Sequence, residues 1–231
     1  MISLDHIAVW TNNMIASTIS ISEQTGLKSA VGGYFPGLGL GQMLVSLGDH
    51  VYLEVESIVD HAMATQPTEA AQLLTKQTTK GACFSGLCFR TDSKAELEQF
   101  AAQVNSPIYD QIQGGKVRAV TFQDSGPTYH APDFRHAWLL GKPNLYYVPT
   151  LENHSSSVPA QEGTGNNTAK RVLELEVGGS EDDMRAWFGD VLDLNSLDFN
   201  FTYNGGPDGL YTVTIDTDSG IKQLRMNPIN L

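Results

Sequence analysis

Two short segments carry the side chains best suited to chemistry. LDHIAVW, residues 4–10, holds His6, and VYLEVE, residues 51–56, holds Tyr52, Glu54 and Glu56. Both alternate as strands with one packed face do. In the first, Ile7 and Val9 suit the packed face, leaving His6, Ala8 and Trp10 on the other. In the second, Val51, Leu53 and Val55 pack, leaving Tyr52, Glu54 and Glu56. If the two strands share a sheet, an imidazole and a carboxylate meet on one face. Such a pair can ligate a metal, exchange a proton or recognise a polar head group.

Other candidates are weaker. The glycines of PGLGLGQ, residues 36–42, resemble a phosphate cradle, but a strand-like run follows them. Phosphate loops lead into a helix whose N-terminus faces the anion. A Gly48-Asp49 turn comes next, so the segment reads as the approach to a hairpin. His130 and His136 lie six apart in GPTYHAPDFRH and read as loop residues with hydrogen-bonding roles. Asp190 and Asp193 have the spacing of a solvated face. No G-x-S-x-G or C-x-x-C motif is present, which removes serine-hydrolase and thioredoxin-like chemistry.

The elements that must position His6 and Glu54 recur three times as strand, helix and three strands. The first unit runs from LDHIAVW through a helix near residues 12–25, closed by Gly26, to SAVGGY, GQMLVSL and HVYLEVE. Residues 58–80 follow as a helical crossover, with TEAAQLLTKQ its clearest part. The second unit begins at GLCFR; Ser93 and Glu96 form a capping box before the apolar stripe Leu97, Phe100, Ala101 and Val104. Strands KVRAVTF, RHAWLL and NLYYVPTL complete it. The third opens with RVLELEV, where Glu174 takes the place of His6, and Ser180 caps a helix before LDFNFTY, LYTVTID and IKQLRM. The polar stretch NHSSSVPAQEGTGNNTA, residues 153–169, reads as a surface linker. These signals predict an α+β fold: a two-unit cup over residues 1–152, the linker, and a third βαβββ unit over 170–231.

Composition limits the partners. The net charge of −12 comes from only 14 Lys and Arg against 26 Asp and Glu, with no basic run. That balance argues against nucleic acid and anionic membrane as partners. No apolar stretch approaches the roughly 20 residues of a membrane span. The opening MISLDHIAVW lacks the basic start of a signal peptide, and Cys83 and Cys88 read as core residues on opposite faces of one strand. A cytoplasmic protein with a small-molecule partner is the expectation.

LDHIAVW, LGDHVYLEVE and GLCFRTDSKAELEQF resemble the first, fourth and fifth strands of the vicinal oxygen chelate superfamily. That group includes glyoxalase I, extradiol dioxygenases, fosfomycin-resistance proteins and bleomycin-binding proteins. The stretch GGYFPGLGLGQMLVSLGDHVYLEVE is similar to bacterial glyoxalase-like domains. The resemblance implies βαβββ modules that pair into a curved half-barrel around a cup. It also implies a divalent metal (Zn, Mn, Fe or Ni) held by His, Gln or Glu from the first, fourth, fifth and eighth strands. The metal would stabilise a developing anion on an oxygen-rich substrate of a lyase, isomerase or dioxygenase.

Carried onto this chain, the metal ligands and catalytic groups are His6 and Glu54. The fifth-strand place falls on Gly86, which cannot ligate, and the eighth on Tyr147, or on Pro149 with a register slip of two. Phe35 and Gly41 stand where close relatives carry histidines, with Gln42 next. Trp10, Phe35, Gln42, Tyr52 and Tyr147 are the ligand-binding candidates, with Phe84 and Trp138 adding to an aromatic wall. The alternative is a metal-free cup that binds or sequesters a small molecule. Because three units leave one half-cup unpaired, the third would pack outside the cup or pair with its copy in a homodimer.

Overall fold

The computed structural model describes residues 1–35, 39–48, 50–64, 76, 79, 81–110, 117–118, 129–151, 154–156, 159 and 163–229. The first unit comprises β1 (Ser3–Trp10), α1 (Met14–Thr25), β2 (Ser29–Phe35), β3 (Leu40–Gly48) and β4 (Val51–Ile58). Asn13 caps α1 by accepting from the Ala16 N–H at 3.0 Å, and Gly26, with φ of 73°, ends it in the left-handed conformation. β1 pairs parallel with β4, and the hairpins β2–β3 and β3–β4 complete the first half of the cup. A short α2 (His61–Ala64) follows; of the expected crossover helix, TEAAQLLTKQ lies outside the described residues apart from Lys76.

The second unit is β5 (Cys83–Thr91), α3 (Lys94–Gln103), β6 (Tyr109–Asp110), β7 (Val117–Arg118), β8 (Tyr129–Ala131), α4 (Phe134–Leu139) and β9 (Asn144–Tyr147). Ser93 caps α3 by accepting from the Glu96 N–H, as the capping box predicts. β1 and β5 pair antiparallel and join the two units into one sheet ordered β6-β8-β9-β5-β1-β4-β3-β2-β7. β7, the described part of KVRAVTF, pairs with β2 at the far edge instead of staying in its own unit.

RHAWLL is helical, not the expected strand. It forms most of α4, which buries Ala137 and Trp138. A six-residue apolar run does not reveal its own period, and Asp133 opens the helix by accepting from the Ala137 N–H. α4 seats the Trp138 indole on β5 at Gly86. An added Cβ there would lie 2.1 Å from the ring.

The third unit is β10 (Ala169–Val177), α5 (Glu181–Phe188), two 3-10 turns, β11 (Asn200–Tyr203), β12 (Leu210–Thr217) and β13 (Gly220–Arg225), followed by β14 (Asn227–Pro228). Its element order is βαβββ, with Ser180 capping α5, but its wiring differs. β10 pairs parallel with β11 on one side and antiparallel with β12 on the other, giving the order β11-β10-β12-β13. In the first unit the opening strand instead pairs with the closing one.

This second sheet lies on the helix side of the main sheet. Val172, Leu175, Phe188, Val213 and Ile215 share a continuous core with Leu53, Phe89 and Phe100. The Phe188 ring stands 5.3 Å from Phe89 and 5.4 Å from Phe100. β14 then returns to pair with the start of β5. The half-cup without an internal partner is thus covered on its own chain.

Seating Trp138 on a glycine generates a measurable coupling. Gly86→Ala is expected to cost about 1–3 kcal/mol through overpacking. In a Trp138→Ala background the same change should cost less than about 0.5 kcal/mol, since sites without shared partners do not couple. A double-mutant cycle by urea denaturation reads the difference.

Candidate functional site

The geometry of the cup floor follows from two irregularities in the β1–β5 ladder. Leu4 pairs with Phe89 and His6 with Cys88, so Asp5 is an extra residue on β1. Further along, Ala8 pairs with Gly86 and Val9 with Phe84, so Ser85 is extra on β5. A bulge places two successive side chains on the same face. Leu4 and Ile7 therefore pack in the helix-side core while Asp5 and His6 both face the cup. The second bulge has a similar effect on β5. Cys83 and Cys88, expected on opposite faces, both belong to the concave cluster with Trp10 and Tyr146, and they form no disulfide.

The bulge creates a polar cluster. The His6 Nδ1 lies 2.6 Å from Asp5 Oδ1, and its Nε2 lies 3.4 Å from Glu54 Oε2. The other oxygen of Glu54 accepts from the Gln42 amide N–H. Asp5 Oδ2 meets His154 Nε2 at 3.0 Å and the Arg90 guanidinium at 3.5 Å. The His6 ring stacks on Tyr52 at 5.1 Å and lies 5.5 Å from the Tyr146 ring. Asp5, His6, Gln42, Glu54 and His154 are all at least nine-tenths buried.

Charge follows from these contacts. Burial alone would push the Asp5 carboxyl up, but the His154 and His6 imidazoles hold it well below the usual carboxylate range. Burial alone would likewise lower His6. Its neighbours Cys88, Asp5 and Glu54 instead raise it well above the ordinary imidazole range. His6 is therefore an imidazolium at neutral pH. Burial pushes the Cys88 thiol up, against the opposing pull of the His6 ring. Tyr52 and Tyr146 are raised chiefly by burial and remain hydroxyl donors.

The structure brings together His6, Glu54, Gln42 and Tyr52 of the sequence-derived candidates. Trp10 sits farther along the same face. Its Nε1 donates to Glu56 Oε2 at 2.9 Å, and its ring meets Trp138 edge-on at 5.6 Å. Tyr147 faces away from the cup, because alternation along β9 gives that face to Tyr146, the partner of Arg90. Pro149 follows β9 and lines a cleft with Ser3, Arg90 and Leu151. Phe35 ends β2 opposite Leu40, and its side chain lies outside the described residues. Phe84 belongs to the helix-side core.

Asp5, Cys88, Arg90, Tyr146 and His154 were not read as site residues. Strict alternation would have pointed Asp5 into the core beside Ile7. A charge there is costly enough to have signalled a bulge. For His154, in the stretch read as a linker, no local pattern gives its destination.

The donors available do not fit a resident divalent metal. Catalytic sites commonly supply three protein ligands and an open position. Among the described residues, no three His, Cys, Asp or Glu side chains stand together in the manner of a metal site. His6 and Glu54 are two donors, one short of that number. Across the ladder from His6 stands Cys88. The glycine at the family's fifth-strand place lies under Trp138, and Gln42 turns its N–H toward Glu54.

Because Asp5 binds protons less readily when folded, its contribution to stability is present above its unfolded pKa of about 4. It is lost as pH falls through and below that value. Asp5→Asn removes the carboxylate that His6, His154 and the Arg90 guanidinium share, an expected cost of about 3–5 kcal/mol at pH 7. Urea melts from pH 7 to pH 3 should show the gap between variant and parent narrowing as pH falls below about 4.

The sequence matches the family described as glyoxalase-like domain over residues 4–192. No curated protein matches it. Among solved structures, a hypothetical protein from Staphylococcus aureus is similar over 96% of this chain and 98% of its own, with 13% identity and a TM-score of 0.61. A xylose isomerase-like TIM barrel/4-hydroxyphenylpyruvate dioxygenase fusion protein covers 97% of this chain with 32% of its own, at 9% identity and a TM-score of 0.50. Methylmalonyl-CoA epimerase from Mycobacterium tuberculosis aligns over 62% of this chain and 85% of its own, at 12% identity and a TM-score of 0.43. At such identities a likeness concerns the fold alone. With the family match spanning most of its length, the chain belongs to the glyoxalase-like domain family.

Proposed function

We propose that the polar end of the cup is a small-molecule site that works by proton transfer between side chains and an oxygen-rich carbonyl substrate. The observation that carries this reading is the His6 ring held between the Asp5 and Glu54 carboxyl groups in a buried concave site. Burying several ionised groups beside aromatic packing costs stability that a purely structural core avoids. Perturbed groups gathered in a concavity are the usual mark of a working site.

The roles follow from the charges. Glu54 is the acceptor for a proton next to the carbonyl, as its oxygens face His6 and Gln42. His6, held in orientation by Asp5, donates to the oxygen on which negative charge develops. The Gln42 carbonyl oxygen is buried with no hydrogen-bond partner and is ready to accept from a substrate hydroxyl. Tyr52 and Tyr146, on either side of the imidazole, supply hydroxyl donors and flat walls.

The test is solvent exchange. Small 2-oxo acids and 2-hydroxy ketones incubated with the protein in D2O and EDTA should gain deuterium beside the carbonyl, followed by proton NMR. Glu54→Gln should slow the exchange by about 10²-fold or more, and His6→Gln should also slow it. Binding without exchange would leave a sequestering protein. Exchange that EDTA abolishes and added metal restores would overturn the reading.

A further inference from the structure

The polar end of the cup is closed by residues that belong to neither module. His154, Ser155 and Ser156 are each buried, although the segment forms no strand or helix. His154 reaches 149 positions back along the chain to set its Nε2 at 3.0 Å from Asp5. Its Nδ1 accepts from the Ser156 N–H at 3.4 Å and meets the Ser156 hydroxyl at 2.8 Å. That arrangement assigns the ring proton to Nε2, which donates to Asp5. The same ring stands edge-on to Tyr52 at 5.7 Å, while the other face of the site is the His6–Tyr52 stack.

We infer that residues 154–156 form a strap that occupies the polar end of the cup, and that release of the His154–Asp5 latch admits ligand to His6 and Glu54. The inference rests on the reading of this cluster as a ligand site. His6 and Glu54 are too deeply buried for a ligand to reach them as they stand, so some covering element must leave. The coverings differ in how they are held. Trp138 rides on a helix packed among Ala8, Trp10, Ala137 and Tyr146, and withdrawing it would expose a large apolar surface. Among the described residues, the strap reaches the cup through the His154 side chain, and the backbone bond of His154 to the Leu151 carbonyl at 3.1 Å is local. Segments held in this way open at low free energy relative to global unfolding.

The position also indicates which ligand can replace the strap. What leaves Asp5 is an N–H donor, so the incoming group must offer a hydrogen-bond donor there. A hydroxyl or amide meets that need, whereas a carboxylate placed against Asp5 would repel it.

The two cysteines test this without knowing the ligand. Cys88 pairs with His6 across the ladder, whereas Cys83 lies beside Trp10 at the other end of β5. Iodoacetamide labelling of the native protein, followed by peptide mass spectrometry, reads access to each. His154→Ala should raise the Cys88 rate about tenfold or more while leaving Cys83 within about twofold, given the strength of a hydrogen bond to a charged group. His154→Gln, which keeps a donor for Asp5, should fall near the parent, and Ser156→Ala should raise Cys88 by less than His154→Ala. An unchanged Cys88 rate in His154→Ala, or equal rises at both cysteines in all variants, would overturn the strap. Labelling reports access alone, so failure here leaves the exchange result standing, and failure of exchange leaves the strap standing.

Discussion

The site depends on one extra residue in a β ladder. Asp5 and His6 are neighbours in sequence and would face opposite sides of an ideal strand. The bulge at Asp5 turns both toward the cup. Everything polar then assembles around that carboxylate: His6 on one oxygen, His154 and Arg90 on the other. The alternative, Asp5 buried in the core beside Ile7 without a partner, would cost several kcal/mol. The bulge is thus the arrangement in which this sequence can keep Asp5 folded at all.

From that carboxylate the chemistry follows in order. Asp5 fixes the Nδ1 side of the His6 ring, so Nε2 is directed at Glu54. The neighbouring carboxylates keep the ring charged against the opposing effect of burial, which makes it a donor to oxygen anions. The rest of the cup reinforces the outcome, because the Trp138 indole fills the space above Gly86, where the superfamily would place a further ligand. A fold often associated with metal chemistry here presents a set of proton-carrying side chains.

Much of the fold was legible in the sequence. Alternation in LDHIAVW and VYLEVE placed Ile7, Val9, Leu53 and Val55 in the core and His6, Glu54 and Tyr52 in the cup, as observed. Caps at Ser93, Ser180 and Gly26 marked real helix ends. What was not legible lay where period-two reasoning breaks. Bulges at Asp5 and Ser85 changed the face of Asp5 and put both cysteines on one side. RHAWLL was too short to show a helical period, and β10 paired with β11 where the repeat implied the closing strand. His154 joined the site through a contact set by tertiary structure, which no local pattern encodes.

The central claim is that His6 is a buried imidazolium held between Asp5 and Glu54. The most direct measurement is nitrogen-15 NMR of the histidine side chains at pH 8 in the presence of EDTA. His6 should show both ring nitrogens protonated at that pH, with a chemical shift that stays constant down through neutral pH. A neutral His6 ring at pH 8, titrating near the ordinary imidazole value of about 6.5, would contradict it.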